Sequence, residues 1–189
     1  MIAERYNARA DAFEAKVANV EPEQWDDPSP CAEWTVRGVV DHVIDMHGVM
    51  VGRPIPRTGD PLADFREARR QVQAALDDPA SATTEVPTPA GPMTVIDHID
   101  QVLSDDMVLH GWDLARATGQ DETIPDSDVR RLWDIATSLP AEIIEKARTP
   151  GGFGPGIEVY GPEVQVPDGA SLQDRLLGYV GRDPMSKNL

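Results

Sequence analysis

The chain has 189 residues, enough for one compact domain with a short appendage, and a hydrophobic fraction of 40% that supports a core. Seventeen Lys and Arg stand against 33 Asp and Glu, a formal net charge of −16. So acidic a surface repels phosphate backbones and anionic lipid headgroups, which excludes nucleic acid and membrane as expected partners.

The opening stretch MIAERYNARADAFEAKV lacks the basic-then-apolar pattern of a secretory signal. Residues 2–20 instead predict a first helix with Phe13, Val17 and Val20 on its apolar side. Pro22 to Trp25 adds a short helical turn. Cys31 is the one cysteine, so no intrachain disulfide forms and a reducing compartment is suited. Lying just before a helix, its thiol reads either as a low-pKa group or as a buried structural cysteine. Thr35 caps a second helix to about Val51. Asp60, followed by Pro61, starts a third to about Leu76. Thr94 caps a long fourth helix ended by Gly119. Asp126 or Ser127 opens a fifth to about Ala147, which Pro140 kinks or splits. Further on, Ile157, Val159, Tyr160, Val164 and Val166 flank Gly161 and Pro162 and predict a two-stranded hairpin. Ser171 caps a final helix from Leu172 to Tyr179. No apolar run approaches the ~18 residues of a membrane span, so a soluble cytoplasmic protein is expected. The predicted fold is all-α: a helical bundle over residues 1–150, with residues 151–189 as an extension packed on it rather than an independent domain.

Helical periodicity also locates candidate chemistry. On the fourth helix, Ile96, Ile99, Val102, Leu103, Met107, Leu109 and Leu114 share a broad arc, and Asp106 and His110 lie within it. Four residues apart, these two share a face. An ionised carboxylate turned to a core costs several kcal/mol or more unless a basic side chain, a proton or a metal ion compensates it. The second helix has an apolar arc of Val36, Val39, Val40, Val43, Ile44, Met46 and Met50. His42 lies near the edge of that arc and His47 well inside it. Periodicity leaves open which of the two joins Asp106 and His110, and whether Asp106 pairs with an arginine instead. His47 also reads as a satisfied core histidine, and His98 as a half-exposed packing residue. Trp34, Trp112 and Trp133 read as core or pocket-wall residues. Two imidazoles and one carboxylate suit Zn²⁺, Ni²⁺ or Fe²⁺, and three protein ligands leave positions open for water or substrate.

Two signatures resemble a known family. Pro30-Cys31-Ala32-Glu33-Trp34-Thr35-Val36-Arg37, followed by Asp41-His42-Val43, is similar to the first signature of DinB-like proteins. Asp106-Met107-Val108-Leu109-His110-Gly111-Trp112-Asp113-Leu114-Ala115-Arg116-Ala117-Thr118-Gly119 resembles the second signature of one branch. That branch holds the metal-binding domain of mycothiol-dependent maleylpyruvate isomerase and its actinobacterial relatives. Phe153-Gly154-Pro155, Val166-Pro167-Asp168, Gln173-Asp174-Arg175-Leu176-Leu177 and Gly181-Arg182-Asp183-Pro184 are similar to its ending. The resemblance implies an up-down-down-up four-helix bundle with one divalent metal ion held by His42, Asp106 and His110. It selects His42 over His47. It also implies a metal-dependent transferase or isomerase acting with a small thiol, mycothiol first, on a small electrophile, as a monomer or homodimer. The other reading is a non-catalytic metal-binding sensor or interaction module. The resembling isomerase carries a separate C-terminal domain that contributes to its active site, whereas only residues 151–189 follow the predicted bundle. Neither reading names a general base.

Overall fold

The computed structural model describes residues 1–31, 34–88, 91–154 and 159–186. Ala32 and Glu33 of the first signature, Pro155 of the ending and Ile157 of the expected hairpin lie outside them. The chain divides into two compact units, Met1–Glu122 and Thr123–Leu189.

In the first unit, α1 (Ile2–Ala18) turns Tyr6, Ala10, Phe13 and Val17 inward at spacings of four, three and four. α2 (Val36–Val51) starts where the Thr35 hydroxyl accepts the Gly38 amide, and ends at Gly52 with φ 68°. α3 (Pro61–Asp77) starts where Asp60 accepts the amides of Leu62 and Ala63. After a short α4 (Pro79–Ala82), β1 (Glu85–Val86) pairs antiparallel with β2 (Met93–Thr94). These two-residue strands are too short to carry a periodic signal.

The long fourth helix is not uniform. It consists of α5 (Val95–His98), a π-helical segment Ile99–Leu103, and α6 (Ser104–Thr118), closed by Gly119 at φ 68°. The wider turn has a visible consequence. In an uninterrupted α-helix residues five apart point about 140° away from each other, but here Asp100 and Asp105 both meet α1. Arg5 donates to Asp100 at 2.7 and 2.9 Å, and Arg9 to Asp105 at 2.5 Å. The next residue, Asp106, is thereby turned toward α2.

Packing runs around a ring of α1, α3, α2 and α6. Phe13 and Phe65 meet with ring centroids 5.0 Å apart, and Val40, Val43, Ile44, Val72, Leu103, Met107 and Leu114 complete the core. Trp112, read as core or wall, is core. Among the described residues no helix is long and apolar enough to cross a membrane.

The second unit contains α7 (Asp126–Ser138), α8 (Ala141–Ala147) and α9 (Leu172–Tyr179). The expected fifth helix is split before Pro140, which has no amide to continue the ladder. α7 packs on α9, with Trp133 against Tyr179 at 5.9 Å and the Arg175 guanidinium over Trp133. That packing draws α7 and α8 together with the C-terminal segment. The hairpin predicted around Gly161 is corrected here: no strand forms among the described residues 159–166. Their amides are spent on helix ends instead. Tyr160 N donates to Ala147 O, Gly161 N to Val180 O and Val164 N to Gly178 O. Gly178 permits this approach, since a Cβ there would lie 2.5 Å from Val164 O.

Candidate metal centre

The segment before α2 folds back on the start of that helix. Val36 N donates to Asp27 O and Arg37 N to Trp25 O, while Ser29 N donates to Trp34 O. This places the Trp34 indole 4.7 Å from the His42 ring and 5.7 Å from the His110 ring. The two imidazoles lie edge to face at 4.8 Å. His42 Nε2 comes to 3.3 Å from Asp106 Oδ2, and His110 Nε2 to 3.3 Å from Asp106 Oδ1. His42 and Asp106 remain partly exposed, with side chains at 27% and 22%, and His110 lies deeper at 9%. Asp106 Oδ2 is itself buried and has no hydrogen-bond partner among the described residues. At 3.3 Å His42 is close enough to attract it, but not aligned to donate.

Behind His110 sits a second carboxylate. His110 Nδ1 lies 2.9 Å from Asp113 Oδ2, and Asp113 is fully buried. A carboxylate only accepts, so Nδ1 carries the proton and Nε2 is the nitrogen that faces Asp106. The Cys31 thiol donates to the same Asp113 oxygen at 3.1 Å and lies 3.7 Å from Nδ1. Two overlapping groups of ligand-type atoms result, His42–Asp106–His110 and Cys31–His110–Asp113, each within 4.8 Å. Burial works against charge on His110, but it is outweighed by the Asp106 charge and by bonds to Asp106, Asp113 and Cys31. The imidazole pKa is held well above its ordinary value. Burial likewise pushes Asp106 up, and the facing His110 and His42 pull it further down, below the usual carboxylate range. The site therefore attracts positive charge, as a proton or as another cation.

The alternatives left open by periodicity resolve. Among the described residues no arginine pairs with Asp106, and Arg5 and Arg9 are engaged with Asp100 and Asp105. His47 stands apart from the cluster and is satisfied in the core. Its Nδ1–H donates to Val43 O at 2.7 Å, and the Tyr6 hydroxyl donates to Nε2 at 3.1 Å. Burial lowers the His47 pKa to about 4. His98 is half-buried, and desolvation lowers its pKa.

A family described as the mycothiol maleylpyruvate isomerase N-terminal domain matches residues 6–60, the stretch with Trp34 and His42. Two uncharacterized proteins of Mycobacterium tuberculosis, from two strains, are each 31% identical to the chain over 183 residues, covering 91% of it and 92% of the relative. The chain belongs to the mycothiol maleylpyruvate isomerase N-terminal domain family. No solved structure matches it. The family match ends before α6, so Asp106, His110 and Asp113 rest on the geometry of this family member alone. Asp113 and the link from Cys31 to it were missed in the sequence. Asp113 lies three residues after His110, a spacing that puts both on one helix side, but nothing local signals that a loop thiol arrives there.

Proposed function

We propose that His42, Asp106 and His110 hold one divalent cation, Zn²⁺ first with Ni²⁺ or Fe²⁺ as alternatives. We further propose that the protein uses it with a small mycothiol-type thiol, to transfer that thiol to a small electrophile or to isomerise the electrophile. One observation carries this reading: among the described residues, a buried Asp106 oxygen has no hydrogen-bond partner and faces two imidazoles rather than a guanidinium. A carboxylate so placed needs a positive charge beside it, and the donor set suits these ions. When bound, such an ion lowers the pKa of a coordinated thiol toward neutrality.

The chain's own residues supply the rest. Asp113 fixes the His110 tautomer so that Nε2 is the coordinating nitrogen. Trp34 covers both imidazoles and narrows access to the site. The net charge of −16 disfavours an anionic thiol and favours a neutral, sugar-based one.

Metal analysis of the purified protein tests the first step. Close to one equivalent is expected, with His110→Ala losing most of it and His47→Ala keeping it. Full occupancy in the His110 variant would remove the assignment. Titrating the Co²⁺-loaded protein with neutral and anionic thiols at matched salt tests the second. A sulfur-to-metal charge-transfer band is expected, stronger with the neutral thiol, with release of roughly one proton. A metal spectrum that no thiol perturbs would leave a metal-binding module without thiol chemistry.

A further inference from the structure

We propose that Cys31 is a positioning residue for this centre: its thiol and the His110 Nδ1–H share Asp113 Oδ2, so the loop before α2 sets the orientation of a metal-ligating imidazole on α6. The inference rests on the reading of His42, Asp106 and His110 as ligands.

Three observations support it. First, the contacts converge on one atom, with Sγ at 3.1 Å and Nδ1 at 2.9 Å from the same oxygen. Second, Asp113 is fully buried, so its carboxylate must be held by donors from the protein. Third, the Cys31 backbone is clamped, since its carbonyl accepts from the Trp34 amide at 3.1 Å and from the Ser29 hydroxyl at 3.3 Å. The residue that carries the thiol is thus tied to the residue whose indole covers both imidazoles.

Cys31, Asp113 and Nδ1 also have the composition of a second donor set. The hydrogen bonding favours the positioning role. For Nδ1 to bind a second ion, His110 would have to lose both ring protons, and Asp113 would have to exchange two donors for a metal. As a positioning group the thiol needs neither change. Partners behind a ligating histidine are worth about 10- to 100-fold in metal affinity, and a weak S–H donor belongs at the low end.

The test compares wild type, Cys31→Ala and Cys31→Ser by competition against a chromophoric chelator, together with the visible spectrum of the Co²⁺ forms. Cys31→Ala should bind about tenfold more weakly with its stoichiometry unchanged and its d–d bands shifted. Cys31→Ser keeps a donor, so it should return to within about threefold of wild type, with the wild-type spectrum. Should the alanine variant fold poorly, methyl methanethiosulfonate can block the thiol of the folded protein. It forms a mixed S–S bond to a methylthio group and releases methanesulfinate. The same tenfold loss is then expected, reversed by a phosphine reductant.

A wild-type protein that binds no metal would overturn the underlying ligand reading. A wild-type protein that binds metal as tightly as Cys31→Ala would overturn only this inference. Equal losses in the alanine and serine variants would make the sulfur itself the active group. So would two equivalents falling to one, or a sulfur-to-cobalt band without added thiol. Each of these would overturn the positioning role.

Discussion

The helical stretch from Val95 to Thr118 presents carboxylates to two neighbours, and the two sides compensate them differently. Toward α1, Asp100 and Asp105 meet the guanidinium groups of Arg5 and Arg9. Toward α2, Asp106 meets, among the described residues, the imidazoles of His42 and His110. A guanidinium is always charged and leaves no vacancy, so the α1 side is a permanent ion pair. An imidazole is neutral or cationic as its surroundings demand, so the α2 side is where we propose an exchangeable cation. A structural seam and a candidate binding centre thus differ by the type of base facing each acid.

The largest expected effect comes from breaking the permanent side. Arg9→Met should remove the guanidinium that faces buried Asp105 and lower unfolding free energy by about 3 kcal/mol, while the folded fraction keeps the metal we propose. Chemical denaturation with metal analysis of the folded fraction checks this. A loss of metal in proportion to stability would mean the two sides are not separable.

Next comes the core histidine, a third way of treating a polar group in this bundle. His47 is neutral because burial lowers its pKa to about 4, whereas in the unfolded chain it titrates near its ordinary 6.5. Between these values the unfolded state binds the extra proton. Stability is therefore fully present above pH 6.5 and falls as pH drops toward 4, by about 3 kcal/mol in total. Comparing wild type with His47→Gln across that range should show the steeper fall in wild type. Identical profiles would remove His47 as the cause.

The smallest expected effect is removal of the ion. Chelation should lower Tm by roughly 5–10 °C, from about 3 kcal/mol of linkage at a hundredfold excess over Kd, and leave the helical circular dichroism at room temperature unchanged. The apolar ring of α1, α3, α2 and α6 does not depend on the site. A coil spectrum on chelation would reclassify the ion as structural.

Periodicity and capping made much of this architecture legible. Thr35, Asp60, Thr94 and Ser171 cap where their short oxygens can meet the first free amides, and Gly52 and Gly119 end helices at positive φ. These are local interactions, settled within a few residues of chain. The inward placement of Asp106 and His110 follows from the same spacing. The π-helical segment does not, because an insertion of one turn-widening residue leaves no mark on composition. Yet it directs Asp105 to Arg9 and Asp106 to His42. Nor could spacing show that Val159–Val166 would give its amides to helix ends rather than to a partner strand, since that depends on how close Gly178 lets the backbones come. The choice between His42 and His47 is of the same kind. Two histidines five residues apart on α2 differ in fate because Tyr6 comes from α1 to satisfy one, and Asp106 comes from α6 to face the other. Partners so distant in the chain meet only through packing, and packing decides which polar group is left open to bind.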